Sequence, residues 1–102
     1  MENQSSAFYA QSPMEKRQSP RQSSRQQKNR QLLRQLLRQA REEVGMIQDE
    51  LSRKLGRSQG FVSKYELGDR RIDLIDMADI CDALGISFLD LAKRFDQLRK
   101  AR

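Results

Sequence analysis

Residues 48–66, QDELSRKLGRSQGFVSKYE, contain two short helical patterns separated by a glycine and a turn. The first, over 48–55, carries Leu51 and Leu55 inward, with Ser52 on the same side as a residue small enough for a crossing helix to approach closely. Gly56 is a stop signal, and Arg57 begins the turn. Ser58 has the chemistry of an N-cap, its hydroxyl free to accept from the N–H groups of the turn that follows. A second helix is predicted over 59–67, with Val62 and either Tyr65 or Glu66 turned to the core and Gly68 closing it. A connection of about three residues forces two helices to cross sharply, leaving the second with a projecting polar face.

Outward from this pair, apolar residues keep a helical period on both sides. Leu33, Leu37, Ala40 and Val44 recur at spacings of four, three and four, which predicts a helix over 29–44 ending at Gly45. Leu32 and Leu36 form a second, neighbouring stripe. Either that helix has one broad apolar face, or the extra leucines pack on the C-terminal helix or another subunit. After the loop 68–72, which holds Arg70 and Arg71, Asp73 can cap a fourth helix with Leu74, Met77, Ala78, Cys81 and Leu84 inward and Gly85 as its stop. Asp73, Asp76, Asp79 and Asp82 recur every third residue along it, which reads as a solvated acidic face or, more sharply, as a surface for a basic partner. Ser87 starts the last helix, with Asp90 in a near capping-box position and Phe88, Leu91, Ala92, Phe95 and Leu98 as its stripe. Phe95 and Leu98 are also candidates for a dimer contact.

The front of the chain differs. Residues 1–28 are mostly Gln, Ser, Arg, Lys and Pro, too polar to offset the entropy of ordering them, so a disordered arm is expected there and a folded domain over 29–102. The chain has 102 residues and a formal charge of +6, but residues 1–41 carry nine Lys and Arg against two acids, whereas 42–102 carry eleven against twelve. The basic excess therefore belongs to the front, where it suits either a phosphate-binding arm or a solvated linker.

Composition also excludes chemistry. With no His and a single Cys81, neither a disulfide within the chain nor a zinc set of the usual kind can assemble, and Cys81 reads as a small buried hydrophobe. No Ser or Cys has a plausible base, and no Gly-rich loop cradles phosphate, so neither an enzyme nor a cofactor is expected. No apolar run approaches the roughly 18 to 20 residues of a membrane span, and the N-terminus lacks the apolar stretch of a signal peptide, so the expected location is the cytoplasm.

The run from Leu36 to Leu91 resembles the lambda-repressor-like helix-turn-helix family, also called the Cro-type or XRE family. The resemblance rests on Arg41-Glu42-Glu43 before Gly45, Gln48 with Glu50-Leu51, Ser58-Gln59, Val62-Ser63-Lys64 with Glu66, and Ala83-Leu84-Gly85-Ile86-Ser87. It implies an all-α, five-helix domain that binds double-stranded DNA as a dimer, with 59–66 as the recognition helix in the major groove. Gln48 matches the position that grips a backbone phosphate, and Gln59 the position that reads a base edge, where an amide can pair bidentately with adenine. Ser63 and Lys64 stand one turn further on. Arg57, Arg70 and Arg71 are placed to hold the backbone on either side of the groove. Arg41 and Glu66 match a structural ion pair between the first and third helices.

Three positions, 47, 52 and 60, depart from the family pattern. Ile47 replaces the usual Thr or Ser cap, and packing is the expected compensation. Ser52 replaces a common Ala, its hydroxyl able to bond back to the carbonyl of Gln48. Gly60 stands where a reading side chain often stands, thinning direct readout while allowing close approach to the duplex. Phe61 is suited either to a thymine methyl or sugar, or to the wall of the helix crossing. The function implied is a DNA-binding transcriptional regulator, a repressor at a palindromic operator. An antitoxin-type autoregulator with a protein partner on the arm or the fourth helix, and an interaction module that does not bind DNA, are the alternatives.

Overall fold

The computed structural model describes residues 23–101, which form five helices: α1 (Ser24–Glu43), α2 (Gln48–Lys54), α3 (Phe61–Leu67), α4 (Leu74–Leu84) and α5 (Phe88–Ala101). The expected arm over 1–22 lies outside the described residues. Its expected end at 28 does not hold, because α1 begins at Ser24 behind a reciprocal capping box. The Ser23 hydroxyl accepts from the Gln26 N–H at 3.1 Å, and the Gln26 side chain accepts from the Ser23 N–H at 3.0 Å. The apolar stripe starts only at Leu32 and cannot report the polar turns before it. Residues 23–28 are exposed, so caps and helix-forming Gln, Arg and Lys carry that end rather than packing.

The core comprises Leu36 and Leu37 of α1, Leu51 of α2, Phe61, Val62 and Tyr65 of α3, Ile80, Cys81 and Leu84 of α4, and Leu91 of α5. Helix α1 packs against both α3 and α5, which explains its two leucine stripes: a broad apolar face serves two neighbours. Helix α2 packs on α3 and α4, and α4 on α5. Burial raises the pKa of the Cys81 thiol and keeps it neutral, as suits a packing residue. Two expected core positions are exposed instead. Val44 is the C-cap of α1, and Leu74 is the first residue of α4, so both stand at helix ends, while Ile80 is a buried residue of α4.

The α2–α3 turn follows from a left-handed glycine. With Gly56 at φ +67°, the Gly56 N–H donates to the Arg53 carbonyl and the Arg57 N–H to the Ser52 carbonyl, closing the end of α2. Helix α3 then starts at Phe61, two residues later than its pattern suggested, and Ser58 is not its side-chain cap. Gly60 occupies that position without a capping side chain, while the Ser58 carbonyl accepts from the Phe61 N–H at 3.0 Å. The missing cap comes from the neighbouring helix: the fully buried Ser52 hydroxyl accepts from the Val62 N–H at 3.2 Å. Ser52 thus ties α2 to α3 and does not bond back within its own helix.

Helix α4 has its expected cap, with Asp73 accepting from the Asp76 N–H at 2.7 Å, and the Ser87 hydroxyl accepts from the Asp90 N–H at 3.1 Å at the start of α5. Helix α2 has none. Ile47 is its N-cap, 63% exposed, so the expected compensation by packing is absent. Its backbone, φ −81° and ψ 163°, already has the extended form that a capping side chain requires. Ile47→Thr should therefore stabilise the domain by about 1 kcal/mol. A urea midpoint that does not rise would show that this helix end gains nothing from a cap.

Candidate nucleic-acid interface

Three charged and polar side chains from three helices meet behind the turn. Arg41 of α1 donates from Nε and Nη2 to the two carboxylate oxygens of Glu66 at 2.7 and 3.0 Å, and from Nη1 to the Met46 carbonyl at 2.7 Å. The two side chains are only 9% and 3% exposed, and the bond to Glu66 raises the already high pKa of Arg41. Gln48, at the first position of α2, donates from Nε2 to Glu66 Oε1 at 2.8 Å. One carboxylate thus joins α1 and α3 and orients the amide expected to meet a phosphate, whose second N–H remains to donate elsewhere.

Gln59 is exposed in the turn, ahead of the helix that was expected to include it, and approaches Asp49 at 3.4 Å. Ser63 and Lys64 lie on α3, half-buried and exposed respectively. Leu67, 70% exposed, follows Lys64 by three residues and Ser63 by four, which places it on their face. In the sequence Leu67 marks only the end of the predicted helix, and its exposure could not be read from spacing. At Gly60 an added Cβ would meet only Lys64 Cε, at 3.7 Å, so nothing in the protein's own packing demands a glycine there.

The arginines are arranged differently from the expectation. Arg57 forms an ion pair with Asp76 at 2.8 Å and lies over the Phe61 ring, 4.4 Å from its centroid. Arg70 covers the same ring at 5.0 Å. Phe61 is 5% exposed and meets Tyr65 edge to face, with centroids 5.5 Å apart, so it forms the wall of the crossing and is not a surface for bases. Asp76 is correspondingly not part of a solvated acidic face: it is 9% exposed, paired with Arg57 and shared with the α4 cap. A three-residue spacing drifts around a helix of 3.6 residues per turn, and Asp76 falls on the inner side. Beneath this cluster the Tyr65 hydroxyl is buried without a hydrogen-bond partner among the described residues, and burial raises its pKa. Arg70 and Arg71 are exposed in the loop after α3, beside Arg30 and Arg34 of α1.

Among the described residues, no helix is long and apolar enough to cross a membrane. The fold and the exposed turn-plus-helix define a helix-turn-helix domain. A family model described as helix-turn-helix matches residues 37–91. The chain is 33% identical over 57 residues to an uncharacterized HTH-type transcriptional regulator, y4dJ, of Sinorhizobium fredii (strain NBRC 101917 / NGR234), spanning 56% of this chain and 74% of that one. A solved XRE-family like protein from Pseudomonas syringae pv. tomato str. DC3000 superposes with a TM-score of 0.69 at 37% identity, covering 72% of this chain and 89% of that one. The chain belongs to the XRE family of helix-turn-helix proteins, and its function is that of a DNA-binding transcriptional regulator rather than an enzyme.

Proposed function

We propose that the chain is a repressor that binds a palindromic operator as a homodimer, with the turn and α3 of each subunit entering the major groove. The observation that carries this reading is the exposed Gln59 and Lys64, with the half-buried Ser63 between them in sequence, beside a Gln48 amide already oriented by Glu66. Gln59 reads a base edge, and Ser63 and Lys64 reach bases or phosphates one turn on. Gln48, Arg70 and Arg71 hold the backbone and set affinity and salt dependence. Gly60, which internal packing does not require, lets the duplex backbone or base edges come close to the start of α3. Leu98 on α5, 38% exposed, supplies apolar surface for the dimer.

Selection of bound sequences from a random duplex pool identifies the operator and its half-site spacing; enrichment of single, unpaired half-sites would count against a dimer. On that operator, Gln59→Ala should lose about 1 to 3 kcal/mol of specific binding and keep its non-specific binding. Equal losses on both kinds of duplex would remove Gln59 from base reading.

A further inference from the structure

A cleft of about 420 Å³ lies between the N-terminal half of α1 and the α3–α4 loop. Arg30 and Arg34, one turn apart on α1, face Arg70 and Arg71 of the loop across it, over a partly apolar floor of Leu33 and Ile72. Among the described residues, no acidic side chain lines it. Guanidinium groups that line one cleft favour an anion between them. Arg34 is the anchor. Its guanidinium lies against Gly68, where an added Cβ would come within 3.0 Å of Arg34 Cζ, and Gly68 stands at φ +93° besides. The Arg34 side chain lines the cleft, while its Nε is buried with no acceptor among the described residues, so a phosphate in the cleft would meet the terminal guanidinium nitrogens. Arg70 is oriented by its contact with the Phe61 ring. Arg30 and Arg71 have contacts of their own and contribute charge rather than the essential grip.

We propose that this cleft binds a phosphate group, gripped by Arg34 and Arg70, with any organic part of the ligand lying on Leu33 and Ile72. Its volume falls within the range of about 300 to 1,000 Å³ typical of small-molecule sites, so a nucleotide-sized phosphate ester fits. A backbone phosphate of duplex DNA offers the same oxygens. The site lies apart from Gln59 and does not depend on sequence reading, so the Gln59→Ala test stands or falls separately.

The test is an NMR titration of the isotope-labelled full chain with inorganic pyrophosphate, with ATP and with a duplex of unrelated sequence, following the Arg34 Nε–H and Gly68 amide signals. Saturable shifts with pyrophosphate or ATP assign the site to a soluble phosphate ligand, and shifts with the duplex alone assign it to the DNA backbone. Arg34→Gln should weaken binding about tenfold or more, with Arg34→Lys, which keeps the charge but loses the fork, weakened as well. Arg38→Gln removes the same charge from an exposed side chain paired with Glu42, and should leave binding nearly unchanged. Silence of both signals with all three ligands would overturn the proposal, as would equal weakening by Arg34→Gln and Arg38→Gln, which would reduce the effect to diffuse charge. Melting curves of the variants confirm that each compares folded protein.

Discussion

Glu66→Ala is expected to cost about 3 to 5 kcal/mol of folding stability, because it leaves the guanidinium of Arg41 buried without its counter-charge. Arg41 would retain only the Met46 carbonyl among its present hydrogen-bond partners, and Gln48 would lose the acceptor that orients it. For a small domain this is a large share of a total that ordinarily lies at about 5 to 15 kcal/mol. Urea denaturation reads the loss directly. A change below about 1 kcal/mol would mean that water or a rearranged partner satisfies Arg41 at no great cost. Replacing both residues together, Arg41→Met with Glu66→Leu, should recover much of the stability, since a buried pair often contributes little over an apolar pair of similar size. That double variant separates two roles of the pair. Its stability should approach the parent's while its DNA binding stays weakened, because Gln48 no longer has a fixed amide.

Leu51→Ala is expected to cost about 2 to 5 kcal/mol, the transfer of a buried leucine side chain plus the cavity left behind. Leu51 has no exposed surface and belongs to α2, which packs on both α3 and α4, so its loss loosens the helix crossing itself. The urea midpoint should fall with little change in slope. A cost under about 1 kcal/mol would require the core to collapse into the gap. In that case the turn geometry that presents Gln59 would shift, and DNA affinity would fall even where the protein remains folded.

Much of this architecture was legible in the residues because its signals are local. Glycines at 45, 56, 68 and 85 mark helix ends, and all four have positive φ. Asp73 and Ser87 cap the helices they precede. Periodicity found all five helices but misjudged their ends, since polar turns without apolar residues, as at 24–31, leave it nothing to count. It also misassigned Leu74, because spacing gives the face of a helix and not how far along that face the neighbouring helix extends.

The site was less legible, for a related reason. Gln48, Arg57, Gln59 and Phe61 were all noticed, but their roles depend on partners elsewhere in the chain: Glu66 for Gln48, Asp76 for Arg57, and two arginines over Phe61. Arg34 went unremarked among many arginines until Gly68 came to lie against it.

By itself the sequence determined five helices, their stops, the caps of α4 and α5, most apolar positions of the core, and, through resemblance, the family and the Arg41–Glu66 pair. Each of these needs only a residue and its near neighbours, or a pattern shared with relatives. Tertiary structure alone decided that Ser52 caps α3 from α2, that Gln48 is held before any DNA arrives, that Arg57 pairs with Asp76, and that Phe61 faces inward. Those contacts join residues 10 to 19 positions apart, or stack side chains across the turn, and depend on how closely two helices cross, which one-dimensional spacing does not encode.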